Sequence, residues 1–227
     1  MHSRLTSITS VQTEQRLVAL TFDDGPDPRL SPAVLDVLGS WDVRATFFLV
    51  AEQVRAHPEL ARRVVAEGHE VGLHGDRHID LRGLGPVEVL LALRRGKRDV
   101  EDVVGRPVRW CRPPYGKQSS QVVAACRVAR MDPVLWTAAA HDWRDEPVDQ
   151  QIARAAPDLR PGAVLLLHDG AADEVEPPRP PPPTQPQLLE RLLDLLHARQ
   201  LRAVSVTALV EAGAPIREPW FGRWLHG

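Results

Sequence analysis

Long hydrophobic runs are missing from this 227-residue chain. Its apolar stretches are short, such as Ala163–Leu167, and none approaches the ~20 residues of a membrane-spanning helix. Cysteine is nearly absent. Cys111 and Cys126 cannot form a disulfide framework, and they are expected to be buried thiols or, alternatively, one bridge across a short loop. Lysine is scarcer still relative to arginine, 2 against 26, which we read as genome base composition. With 28 basic and 30 acidic residues the net charge is −2, so a broad electrostatic footprint for nucleic acid is not expected. The stretch Met1–Arg16 is polar and lacks the apolar segment of a secretory leader. The expectation is a cytoplasmic protein, with a trimmed secreted one as the alternative. What is present is ordinary globular material, 43% apolar and 26% charged, and long enough to bury a core without disulfides.

Apolar runs alternate with helical patterns along nearly the whole length. Strands are predicted at Leu17–Phe22, Thr46–Val50, Glu70–Leu73, Val108–Arg112, Pro133–Thr137, Ala163–His168 and Arg202–Val206. Helices are predicted after each. The first is capped by Ser31 with Pro32 in its first turn. The next covers Glu59–Glu67 and ends at Gly68, and another runs from Pro86 to Val104 and stops at Gly105. Further helices are expected near Ser120–Val128, Val148–Ala156 and Gln187–Gln200, and a short one capped by Thr207 ends at Gly213. Gly96, inside the long helix, should weaken it by up to ~1 kcal/mol. Seven strands each followed by a helix imply βαβ units and a parallel sheet, either closed into a barrel or wound open. The expected organisation is an N-terminal extension (1–16), one domain (17–213) with a proline-rich insertion (169–186), and a tail (214–227). The insertion holds Glu174–Pro186, a rigid solvated loop, a wall beside the site or a polyproline ligand for a partner. The tail carries three aromatics that either pack back or fray.

In parallel α/β folds ligands bind at the carboxyl ends of the strands. Asp23 and Asp24 follow the first strand, and His74 and His78 the third. Arg112 ends the fourth, His141, Asp142 and Trp143 follow the fifth, and His168 and Asp169 end the sixth. All these groups fall at one end of the sheet. Two histidines at i and i+4 converge on one ion if the segment turns helically, and a carboxylate from another strand completes a three-ligand set with an open position, as hydrolytic zinc requires. Of the adjacent aspartates one can bind metal and the other act as general base, charge-balanced by Arg112. His168 is then placed as general acid.

The motifs that carry these residues resemble those of the polysaccharide deacetylases of carbohydrate esterase family 4, which share the NodB homology domain. Thr21–Pro26 (TFDDGP), His74–His78 (HGDRH), Arg112–Gly116 (RPPYG), Trp136–Trp143 (WTAAAHDW) and Leu165–Asp169 (LLLHD) look like its five motifs in order. The resemblance implies a distorted (β/α)7 barrel in a single α/β domain. It implies one divalent metal, zinc first and cobalt, nickel or iron as alternatives, held by Asp24, His74 and His78. Asp23 becomes the catalytic base, Arg112 its orienting partner, and His168 the acid tuned by Asp142. The Tyr115 backbone N–H lines the oxyanion hole, and Trp143 and Leu166 wall the acetyl pocket. Gly75 stands where the family has Ser or Thr, and Ala139 where it often has Asp. Asp76, between the histidines, is either a surface residue or a partner of a ligand.

The expected activity is removal of an acetyl group from an N-acetylated amino sugar, with a small glycoside or glycosylated metabolite favoured over a polymer. Trp143 and Trp41 are the candidate stacking residues, and both also suit a core. No membrane or nucleic-acid partner is expected. The alternatives are an extracellular chitin or peptidoglycan deacetylase, a non-sugar amide hydrolase on the same barrel, and a non-catalytic glycan-binding protein.

Overall fold

The structure, a computed structural model, describes residues 5–171 and 184–219. The strands β2 (Leu17–Asp23), β3 (Thr46–Leu49), β4 (Glu70–Leu73), β5 (Trp110–Cys111), β6 (Asp132–Pro133), β7 (Ala138–Ala139), β8 (Val164–His168) and β9 (Arg202–Val204) form one curled parallel sheet. Its order is β6-β5-β4-β3-β2-β8-β7, with β9 also pairing β2. Helices cover the outside: α1 (Ser31–Ser40), α2 (Ala51–Ala56), α3 (Pro58–Ala66), α4 (Pro86–Val104), α5 (Ser120–Val128), α6 (Val148–Ala155), α7 (Gln185–Ala198) and α8 (Val206–Glu211). This is the expected distorted (β/α)7 barrel. Among the described residues no helix is long and apolar enough to cross a membrane.

Strand alternation sorts the sheet residues into two cores. Val18, Leu20 and Phe22 of β2 join the outer core with Phe47, Leu49 and Leu73, where α1, α4 and α7 bury their apolar stripes. Leu17 and Ala19 face inward with Phe48, Trp110, Leu135, Trp136 and Leu166, which fill the barrel. Buried Val89, Leu93, Gly96, Val100 and Val104 form the stripe of α4. Each fully buried Val or Leu in it contributes about 1.5–3 kcal/mol. The two cysteines are buried and free, so the single bridge is not formed.

Several expectations are corrected. Ser7–Gln12, read as part of an extension, is β1, and it pairs antiparallel with β10 (Ala214–Glu218), read as part of the tail. β1 also bridges Val134 and Ala163, seating itself across the barrel between them. Its serines and threonine are buried, so its polarity disguised a core strand. The domain therefore reaches beyond 17–213 at both ends. Of the predicted strand Pro133–Thr137 only Pro133 lies in a regular strand, β6; Val134 makes a single bridge to Ile8, the carbonyls of Val134 and Leu135 accept from Arg112, and β7 begins beyond the predicted range at Ala138. Ser31 does not cap α1. Its hydroxyl accepts from the Asp27 N–H and donates to Asp169. The last helix is capped by Ser205, whose Oγ accepts from the Ala208 N–H, while Thr207 bonds Trp110 and Glu70. Trp41 packs on the outer core just past α1, at the barrel end opposite the strand C-termini, and is not a stacking residue for the site. The proline-rich segment lies outside the described residues up to Pro183, as do the aromatics Trp220, Phe221 and Trp224.

Candidate active site

The same alternation aims the site. Leu17 and Ala19 point inward, and so do Thr21 and Asp23 on the same face of β2. Trp110 points inward, and two residues on stands Arg112; Val164 and Leu166 point inward, and two residues on stands His168. Asp23 and His168 are direct neighbours in the β2–β8 register. Leu166 is buried beneath His168 on the same face of β8.

Arg112 is fully buried, and its guanidinium makes four hydrogen bonds. Nη1 donates to Asp23 Oδ1 at 2.7 Å and to Thr21 Oγ1 at 2.9 Å. Nε and Nη2 donate to the carbonyls of Val134 and Leu135. The group lies over the Phe48 ring at 4.1 Å. Burial lowers its pKa, and Asp23 offsets part of that shift.

Asp24 escapes alternation. Its backbone takes φ 78, and its Oδ1 lies 3.2 Å from His74 Nε2 and 3.3 Å from His78 Nε2. His74 Nδ1 stands 2.7 Å from the Arg112 carbonyl oxygen. That oxygen only accepts, so Nδ1 carries a proton and Nε2 is the ring atom turned toward Asp24. Among the described residues Asp24 Oδ1 finds no hydrogen-bond partner, and it is buried. One potential ligand atom from each of the three residues lies within 4.8 Å of the others. A buried carboxylate oxygen and imidazole nitrogens facing one point fit a divalent cation with an open position. Burial alone would raise the Asp24 carboxyl, but His74, His168 and His78 outweigh it and hold it well below the usual range. The segment His74–His78 is a bend and not a helical turn, so the helical condition for convergence is not what brings the rings together.

On the other side, Asp142 Oδ1 lies 2.8 Å from His168 Nδ1, and its Oδ2 accepts from the His168 N–H at 2.7 Å. Gln185 Nε2 donates to the same Oδ2 at 3.0 Å. Burial alone would lower His168, but Asp142, with Asp24 and Asp23 behind it, pushes it up to about 10. The ring is therefore protonated near neutrality. Trp143 is 53% exposed, stacks on His141 at 4.8 Å and meets His168 edge-on at 5.2 Å. Tyr115 sits at φ 60, its ring 4.4 Å from that of His78.

Asp23, Asp24, His74, His78, Arg112, Tyr115, Asp142, Trp143, Leu166 and His168 lie at or directly beneath this one barrel mouth, whereas Trp41 does not. Two contributors were missed. Thr21 could have been found by counting back two from Asp23. Gln185 sits at the start of α7 in a stretch read as proline-rich loop, and nothing in the sequence marks it. Asp76 is not a surface residue: it is buried and ion-paired with Arg55 and Arg95. Asp169, given no role, is fully buried against Ser31. Burial, with Asp24, Asp23 and Asp27 nearby, raises it to about 7 against the bond from Ser31.

Residues 10–134 match the polysaccharide deacetylase family. A chitooligosaccharide deacetylase of Bradyrhizobium sp. (strain ANU 289) is 37% identical over 195 residues, covering 86% of this chain and 89% of its own. A solved peptidoglycan N-acetylglucosamine deacetylase superposes with TM-score 0.81 at 26% identity, covering 92% of this chain and 94% of that one. A CE4 family pseudoenzyme from Bacillus anthracis superposes with TM-score 0.80 at 25% identity, over 90% and 68% of the two chains. The fold alone thus does not carry activity, and the residues at the mouth must. With the base, acid and metal-ligand types all present there, and with the match spanning more than half its length, the chain belongs to the polysaccharide deacetylases of carbohydrate esterase family 4, metal-dependent N-deacetylases.

Proposed function

We propose that this deacetylase hydrolyses the acetamide of N-acetylglucosamine units in short oligosaccharides, with zinc at Asp24, His74 and His78. The observation that carries the reading is the placement of Asp23 and His168 as register neighbours beside that ligand set, with Asp23 Oδ2 3.7 Å from His74 Nε2. Asp23 has one oxygen fixed by Arg112, so the other is available to take a proton from water as its oxygen bonds to the acetyl carbon. As the C–N bond breaks, His168 gives its proton to the departing amine, and acetate and a free amino sugar result. Asp142, itself held by Gln185, keeps the imidazolium aimed. The Tyr115 backbone N–H is assigned to the developing oxyanion, and Trp143 and Leu166 to the walls around the methyl group. When bound, zinc supplies Lewis acidity toward the water and the acyl oxygen.

The initial preference for a small metabolite over a polymer finds no support in the comparisons: the Bradyrhizobium relative is named for chitooligosaccharides and the solved neighbour for peptidoglycan. An oligosaccharide is the substrate size consistent with the first, which matches nearly the whole chain. The test is acetate release from chitin oligomers, single N-acetylated glycosides and peptidoglycan, with and without added zinc or cobalt. Metal-dependent release from oligomers is expected. Release from single glycosides alone would overturn the oligosaccharide assignment, and no release by metal-loaded protein from any N-acetylated sugar would overturn the reaction.

A further inference from the structure

In a helix, the i and i+4 spacing of two ligating histidines is enforced by backbone hydrogen bonds. His74–His78 is a bend, so something else must hold it. The carbonyls of Gly75 and Asp76 accept from the N–H groups of Ala51 and Glu52, at the start of α2. Gly75 offers no side chain, and none fits: its φ is +99, and a Cβ there would stand 2.9 Å from the Arg77 carbonyl oxygen. The loop's inner anchor is Asp76, which is 4% exposed. Its Oδ1 accepts from Arg55 Nη1 of α2 at 2.9 Å, and its Oδ2 from Arg95 Nε of α4 at 3.1 Å and from Arg95 Nη2. Arg55 reaches on to Asp99 of α4 at 2.9 Å, tying the two helices together. Gly96 explains itself in the same place. A Cβ on it would stand 3.1 Å from the Asp76 Cα, so glycine lets α4 come up against the loop backbone. The cost to helix propensity of about 1 kcal/mol is the condition for that close approach.

We infer that Asp76, clamped by Arg55 and Arg95, is a positioning residue that sets the separation of His74 and His78 and thereby the affinity of the metal site. Orienting partners outside the ligand set typically govern affinity in this way. The clamp acts from the helix side of the loop. The inference rests on the reading of Asp24, His74 and His78 as the ligands.

The experiment measures Zn2+ affinity by competition with a chromophoric chelator and the visible absorption of the Co2+-loaded protein. It compares wild type, Asp76→Asn, Arg95→Ala, His74→Ala and Arg63→Ala. The Arg95 side chain is 55% exposed, so its removal opens no buried cavity and Arg95→Ala serves where Asp76→Asn fails to fold. Asp76→Asn and Arg95→Ala are each expected to weaken Zn2+ binding about 10-fold or more and to alter the Co2+ band. Arg63→Ala, which breaks a distant ion pair with Asp36 and Glu67, should leave both as in wild type. Affinity within about twofold of wild type and an unchanged band in the clamp variants would overturn the clamp, as would an equal loss in Arg63→Ala. If His74→Ala binds Zn2+ as wild type does, the ligand assignment itself falls; if it loses the metal while the clamp variants keep it, only the clamp falls.

Discussion

The carbonyl of Arg112 accepts the Nδ1 proton of His74 at 2.7 Å, while its guanidinium holds Asp23 at 2.7 Å. One residue thus orients a proposed metal ligand through its backbone and the proposed base through its side chain. Removing a partner from a buried ion pair leaves an uncompensated charge, at about 3–5 kcal/mol. Arg112→Ala should lose stability on that scale in urea unfolding of the metal-free protein. Adding Asp23→Asn to it should restore part of the loss, since the orphaned charge is gone. If the double variant is as unstable as the sum of the singles, the two residues are not coupled as described.

Asp23 and Asp24 are adjacent but are assigned different work, and substitution should separate them. Asp23→Asn keeps the shape and still accepts from Arg112, so zinc stoichiometry should remain that of wild type. Its kcat should fall about 100-fold or more, because the proton acceptor is lost. His74→Ala should lose both metal and turnover. Metal analysis by mass spectrometry alongside acetate release checks both, and near wild-type kcat in Asp23→Asn would remove it from the role of base.

The site was legible from sequence because alternation along a strand is strict. Asp23, Arg112 and His168 each lie an even number of residues beyond an inward-facing apolar residue, so the strand pattern alone predicts that they converge. Asp24 breaks that rule through a left-handed backbone, and only the DDGP turn chemistry hinted at it. The strand β1 was not legible because Ser7, Thr9 and Ser10 are buried by a pairing with β10 more than 200 residues away, which no local window can see. Between a surface role and a partner's role for Asp76 the sequence could not choose, because its two arginines come from helices, 21 and 19 residues away.

The bond between His168 and Asp142 holds the imidazole proposed as general acid. In metal-free protein the His168 ring should titrate near 10 by NMR. Asp142→Asn removes the largest opposing contribution to burial, so the value should fall back toward 6.5 or below it. Gln185→Ala leaves the carboxylate in place and should move the ring far less, while loosening its orientation and lowering kcat. A His168 that already titrates near 6.5 in wild type would show that the ion pair is not formed in solution.

Two buried groups, His69 and Asp169, oppose each other in pH-dependent stability. His69 accepts from the Ala45 N–H at 3.2 Å, and burial together with Arg44 lowers it to about 4. Between that value and the unfolded value near 6.5, the unfolded chain binds more protons, so stability falls as the pH falls. Asp169, raised to about 7, acts in reverse: between about 4 and 7 the folded chain binds more protons, so stability falls as the pH rises. The wild type should therefore show a shallow profile from pH 4 to 7. His69→Gln should weaken the opposition to Asp169, leaving only the smaller one from His141, which burial also lowers, and tilt the profile toward losing stability as the pH rises through this window. Asp169→Asn should do the opposite and make it lose stability on acidification, with a slope change of at most about 1.4 kcal/mol per pH unit for each proton. Urea unfolding of the metal-free proteins at pH 5, 6 and 7 reads both slopes, and parallel profiles for the three proteins would show that neither group is held as its surroundings imply.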